Sequence, residues 1–212
     1  MKVKVTFLLG LALLFGGTAF AQSSSSSESS RAEAAVDYSF VSFYPASNLA
    51  NRHSLNGGGG SFAYFWKDLY GVKADFQGYA SNTTTFTIPA GNPVVPAGGT
   101  FKVQGNLFTY LFGPVIQPRQ SKIAPFGQIL FGGAHSNLYG DFYNVTGHVG
   151  TAPSNNSFSM AVGGGIDFRI KNSIYFRPVE FNYLLTDFVQ PTTTNHQVQS
   201  NFQYKAGITF RF

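Results

Sequence analysis

At 212 residues the chain is the size of one domain, yet only 11% of its residues are charged while 17% are aromatic, against roughly 25% charged in an ordinary soluble protein. The absence of cysteine excludes a disulfide framework, a cysteine-ligated metal and lipid attachment through an N-terminal cysteine. The formal charge of +5 includes Lys2 and Lys4, in a segment expected to be removed, and the rest is scattered, which argues against a nucleic-acid partner.

The chain opens MKVKVTFLLGLALLFGGTAFAQ. Two lysines, an apolar stretch from Val5 to Phe20 and the small-residue site Ala19-Phe20-Ala21 form the layout of a secretory signal peptide over residues 1–21, with cleavage expected before Gln22. SSSSSESSRAE follows. It has too little apolar surface to fold and reads as a flexible linker over residues 22–33. No run of 18 apolar residues occurs after it, so a helical membrane protein is excluded.

From residue 34 to residue 212 the hydrophobic period is two. Eight segments stand out: Ala34–Tyr44, Asn56–Trp66, Leu69–Ala80, Phe101–Gly113, Lys122–His135, Ser157–Ile170, Ile174–Leu185 and Gln199–Phe212. Their lengths suit tilted strands crossing a bilayer, which need about 9–11 residues each. The connections alternate long and short, beginning with a long one. Long external loops, short periplasmic turns and an even strand count with both termini in the periplasm are the pattern of an outer-membrane barrel. The expected fold is therefore an all-β, eight-stranded antiparallel up-and-down transmembrane β-barrel over residues 34–212.

The faces follow from alternation. In the third segment Tyr70, Val72, Ala74 and Phe76 oppose Gly71, Lys73, Asp75 and Gln77. In the seventh, Val179, Phe181 and Tyr183 oppose Pro178, Glu180 and Asn182. In the sixth, Phe158, Met160, Val162, Gly164, Ile166 and Phe168 share one face, and Asp167 and Arg169 lie on the other. An unpaired charge facing lipid near the midplane costs about 2–4 kcal/mol, so the charged faces belong inside. A two-residue turn at Lys67-Asp68 sends Phe62 and Tyr64 inward, opposite Gly71 and Lys73, against the trend. An eight-stranded barrel has its interior filled by side chains. Asp37, Lys73, Asp75, Asp167, Arg169, Glu180, Lys205 and Arg211 are accordingly expected to form a structural network of crossing ion pairs rather than an ion or proton path. Glu180 should lie near Lys205, and Arg211 diagonal to Asp37.

The pieces ADFQGY (74–79), TYLFGP (109–114), PFGQILFGGAH (125–135), GGGIDFRI (163–170), FNYLLTDF (181–188) and NFQYKAGITFRF (201–212) resemble the OmpA-like outer membrane β-barrel family of Gram-negative bacteria. The resemblance implies an outer-membrane location and a C-terminal strand read by the barrel-assembly machinery. The signal would be carried by Phe202, Tyr204, Ile208, Phe210 and Phe212. It implies outer-membrane lipid and lipopolysaccharide as surroundings. It does not name a ligand for the external loops, because a shared fold does not imply a shared function.

Catalysis finds little support. AHSN at 134–137 is similar to the His-x-Ser-Asn stretch of lipid A 3-O-deacylases, but His135 and Ser136 are adjacent and a strand points them to opposite faces. Asp141, a candidate orienting acid, falls in a loop. His53, His148 and His196 fall in three predicted loops without ligand spacing, and GGGG at 57–60 lacks the Lys-Ser/Thr of a phosphate loop. No catalytic, cofactor-binding or metal-ligating residue is assigned. The expected role is a non-catalytic envelope-structural or surface-interaction protein acting through its external loops. A narrow pore or transporter is the alternative, and a lipid A-modifying enzyme a more distant one.

Overall fold

Alternation over 11–16 residues, rich in aromatic and β-branched side chains, makes strands too long and too two-faced for anything but a sheet wetted on one side and apolar on the other. The computed structural model closes that sheet on itself. It describes residues 30–43, 53–81, 84–88, 90–91, 97–103, 106–136, 156–189 and 196–212, and among these every regular element is a strand. The signal-peptide reading, most of the linker, Asp141 and His148 lie outside the described residues.

The strands are β1 (Ala32–Phe43), β2 (His53–Phe65), β3 (Tyr70–Ser81), β4 (Thr84–Ile88), β5 (Gly99–Val103), β6 (Asn106–Ile116), β7 (Ile123–Ser136), β8 (Asn156–Lys171), β9 (Ile174–Val189) and β10 (His196–Arg211). Eight of them form a closed barrel in the order β1-β10-β9-β8-β7-β6-β3-β2, every neighbouring pair antiparallel. β4 and β5 pair only with each other, as a hairpin in the connection between β3 and β6. The short connections (66–69, 117–122, 172–173) share one end of the barrel with the seam of β1 and β10, where Ala32 and Phe212 exchange backbone hydrogen bonds of 2.8 and 3.0 Å. This is called the turn end below, and the opposite end the loop end.

The eight-stranded antiparallel barrel matches the sequence reading; four local features differ from it. The barrel starts at Ala32, not 34, so Glu33 belongs to β1 rather than to the linker. The fourth segment, expected over Phe101–Gly113, divides: its first residues belong to the β4–β5 hairpin, and β6 continues to Ile116 with Pro114 opposite Val72. The apolar parity changes between Phe101 and Val103 in the first part and Phe108, Tyr110 and Phe112 in the second, which the change of sheet explains. Phe62 and Tyr64 face outward, 48% and 44% exposed. They oppose Ala74 and Val72, because the β2–β3 connection spans four residues, Trp66 to Leu69, and shifts the pairing by one. A one-residue slip exchanges the two faces of a strand. Finally, β9 carries a bulge at Pro178. Lys205 pairs with Glu180 but Gly207 with Arg177, and the β8 ladder shifts at the same place. Proline cannot donate to a ladder, and such irregularities accommodate it inside a sheet.

The outer surface is apolar around the barrel. Trp66, Tyr70 and Phe212 stand exposed toward the turn end, Phe108 and Phe158 toward the loop end, and Val72, Ile129 and Val162 between them. In β10 and the residue after it, Phe202, Ile208, Phe210 and Phe212 are exposed and Tyr204 is half-buried, while Gln203, Lys205, Thr209 and Arg211 are buried inside.

Candidate functional site

The inward faces hold ten buried charges among the described residues: Lys73, Arg119, Arg177, Lys205 and Arg211 against Glu33, Asp37, Asp75, Asp167 and Glu180. The balance of five against five is what a low-dielectric interior requires, since a buried charge survives only if compensated.

Glu180 is the centre. Its Oε1 lies 2.6 Å from Lys205 Nζ, and its Oε2 lies 3.0 Å from Arg177 Nη1 and 3.3 Å from Lys73 Nζ. Gln128 and Asn182 donate further hydrogen bonds to Oε1 at 2.8 and 3.0 Å. Lys205 also reaches Asp75 at 2.6 Å. Toward the turn end, Arg177 grips Asp167 with two nitrogens, at 2.7 and 3.1 Å, and Glu33 at 3.1 Å. Arg211 bridges the same two carboxylates, 3.0 Å from each, and Arg119 reaches Glu33 at 2.6 Å. Each guanidinium also covers an aromatic ring: Arg119 over Phe65 at 4.1 Å, Arg177 over Phe126 at 4.3 Å and Arg211 over Tyr175 at 3.7 Å. Planar guanidinium groups satisfy carboxylates edge-on while stacking face-on, so three arginines and three rings fill the turn end. Ala63, Phe65, Val115 and Phe126 pack there as an apolar cluster.

Toward the loop end the contents change to neutral groups. Ser39 and Gln203 meet the Tyr79 hydroxyl at 2.8 and 2.5 Å; Asn182 donates to Gln203 at 2.7 Å, and Gln128 to Asn182 at 2.9 Å. Thr186, Gln199 and Asn201 form a second neutral cluster.

Of the eight expected network residues, Lys73, Asp75, Asp167, Glu180, Lys205 and Arg211 converge, with Glu180 and Lys205 directly opposed. Two differ. Arg169 is exposed at the turn-end rim, bonded to the Tyr175 hydroxyl and the Gln120 carbonyl, because β8 has passed beyond the interior there. Asp37 points inward but lies opposite Gly207, not diagonal to Arg211; the earlier start of β1 puts Glu33 opposite Arg211 instead. Three ion-pair members were missed. Arg177 escapes alternation because the Pro178 bulge turns it to the same side as Glu180, three residues away; the intervening Pro178 itself, expected inward, is absorbed in the bulge. Glu33 hid beside the Ser-rich segment. Arg119 lies in a turn, where periodicity has no meaning; proline next to a lone cation was the one available signal.

Among the described residues, His135 and Ser136 of the enzyme-like stretch do not come together. His135 is exposed and 2.8 Å from Asn156, whereas its neighbour Ser136 is buried on the inner side. Among the described residues no group of His, Cys, Asp and Glu has metal-binding geometry.

No family model matches the chain, and no curated protein matches it. Solved structures do. Neisserial surface protein A (NspA) is 12% identical with a TM-score of 0.59, over 85% of this chain and 97% of that one. The outer membrane protein OprG from Pseudomonas aeruginosa is 12% identical with a TM-score of 0.51, over 86% of this chain and 97% of that one. At such identity the likeness is one of fold.

Proposed function

We propose that this chain is an outer-membrane protein of the OmpA-like barrel class with a non-catalytic, envelope-structural or surface-interaction role exercised by its external loops. The observation that carries the reading is the pairing of an apolar outer surface with an interior filled, at the turn end, by ion pairs and stacked rings. Such an outer surface needs lipid, and such an interior leaves no through-channel, which weighs against the pore alternative. The structural neighbours are named a surface protein and an outer membrane protein, in keeping with this. On this reading the turn end and both termini face the periplasm, a signal peptide over 1–21 directs export, and the long loops meet lipopolysaccharide or an external ligand. The outward Phe202, Tyr204, Ile208 and Phe210 of β10, with Phe212 just after it, serve as the assembly address.

The test is fractionation of expressing cells, combined with protease treatment of intact cells and planar-bilayer recording. Heat-modifiable protein in outer membranes, cleaved in its loops from outside and silent in bilayers, is expected. Ile208→Arg should destabilise the barrel in vesicles by about 2–4 kcal/mol, because a cation would face hydrocarbon. Folded, detergent-free protein in the periplasmic fraction would overturn the reading.

A further inference from the structure

One row of directly opposed, inward-facing residues winds through the barrel wall. Arg177 is opposite Gly207, Gly207 opposite Asp37, Asp37 opposite Gly59 and Gly59 opposite Gln77. The row continues from Gln77 to Thr109, then Ala134, then Ser157. Barrel strands are tilted about 35–45°, so a row perpendicular to them climbs along the axis. Asp37 lies six residues from the loop end of β1, Gln77 four from that of β3, Thr109 three from that of β6, and Ser157 one from that of β8. The row rises from Arg177, in the arginine layer toward the turn end, to the loop-end rim.

Six buried side-chain polar atoms without a protein hydrogen-bond partner sit on this one row: both oxygens of Asp37, both amide atoms of Gln77, and the hydroxyls of Thr109 and Ser157. Asp37 is 7% exposed, Gln77 3% and Thr109 2%. Groups this deep need a partner. The positions between them carry the least bulk, Gly59 and Ala134. A Cβ on Gly59 would lie 2.6 Å from Gln77 Oε1, so the Gln77 amide leans across Gly59 toward Asp37.

We propose that this row is a hydrated inlet. Water enters at the loop end past Ser157 and Thr109, follows Gln77, and reaches Asp37, where the path stops at the ion-pair layer. Water rather than a metal cation is the ligand for two reasons. The unpartnered set includes a donor, the Gln77 Nε2, which no cation accepts. Among the described residues the buried acidic and basic side chains are also five of each, so the interior offers no excess of carboxylates for a cation. Lys205, diagonal to Asp37 across the β1–β10 pairing, spends its 2.6 Å contacts on Asp75 and Glu180 and makes no hydrogen bond to Asp37. Below Asp37 the arginine layer has every carboxylate bridged, and water has no continuation.

The absence of cysteine from the chain makes the test clean. Single variants Ser157→Cys, Thr109→Cys, Asp37→Cys and Ala63→Cys are refolded in detergent micelles, folding is verified by heat-modifiable mobility, and each is exposed to Ag+, a thiol-reactive ion small enough to travel with water. Ala63, 3% exposed in the turn-end apolar cluster, is the dry reference. Ser157→Cys should react fastest, and Thr109→Cys and Asp37→Cys about a hundredfold faster than Ala63→Cys, since thiolate reactivity requires access to water. Adding Gln77→Leu should slow Asp37→Cys about tenfold by replacing the polar step with an apolar one, and leave Ser157→Cys unchanged. Reaction of Asp37→Cys or Thr109→Cys no faster than Ala63→Cys overturns the inlet, as does indifference of Asp37→Cys to Gln77→Leu. Should Asp37→Cys not fold, Thr109→Cys against Ala63→Cys decides.

Discussion

The two halves of the barrel interior solve the same problem by opposite means. Both must keep polar side chains away from lipid inside a narrow wall. The turn-end half uses charges in full: Glu33, Asp167 and Glu180 are each bridged by at least two cations, and the arginines lie over aromatic rings. The loop-end half uses amides and hydroxyls and leaves several of them without a protein partner. A saturated ionic layer is rigid and excludes solvent, because any displaced charge would be stranded. A neutral half-satisfied layer tolerates water, because each bond exchanged is of similar strength. The difference teaches that, among the described residues, full ionic compensation is concentrated in one layer rather than spread along the barrel.

The largest effect is expected where that contrast is sharpest. Arg177→Ala removes one cation from three carboxylates at once, and loss of a partner from a buried ionic group costs about 3–5 kcal/mol. Urea unfolding from micelles should place this variant at or above the top of that range. A cost near 1 kcal/mol would show the layer to be wetter than the geometry implies. Next is Glu180→Ala, which leaves Lys205 and Lys73 to share the single carboxylate of Asp75 and should cost about 3–5 kcal/mol. The double change Glu180→Gln with Lys205→Met should be much milder. Equal damage from both would mean that the 2.6 Å contact contributes nothing. The smallest effect separates the halves most finely. Thr109 and Thr209 both carry buried hydroxyls without a protein partner, the first toward the loop end and the second near the turn end. Thr109→Val should cost about 1 kcal/mol, the worth of a hydrogen bond to water. Thr209→Val should be neutral or slightly stabilising, since a dry hydroxyl loses nothing. Identical values would erase the distinction between the halves.

How much of this was written in the sequence depends on parity. Strand number, the long-short alternation of connections and the inward set Lys73, Asp75, Asp167, Glu180, Lys205 and Arg211 follow from a period of two and needed no tertiary knowledge. Each departure traces to an interrupted count. The four-residue connection after Phe65 reversed Phe62 and Tyr64, and the bulge at Pro178 concealed Arg177. Glu33 lay beyond the first apolar alternation and took its role from pairing with Arg211 across a separation in sequence of almost the whole chain. Pairings of that kind are set by closure of the sheet, which no local window contains.

The arginine layer also bears on how the barrel comes to be closed. Glu33 is supplied by the first strand and Arg211 by the last, and the two meet only across the seam where Ala32 and Phe212 pair. Until β10 docks, Glu33 and Asp167 lack one of their cations. A chain lacking only its final strand would therefore hold under-compensated charge in a greasy setting, a state that gains little from the seven strands already placed. The layer works as a clasp fastened by the last move, favouring all-or-none assembly over a long-lived open sheet.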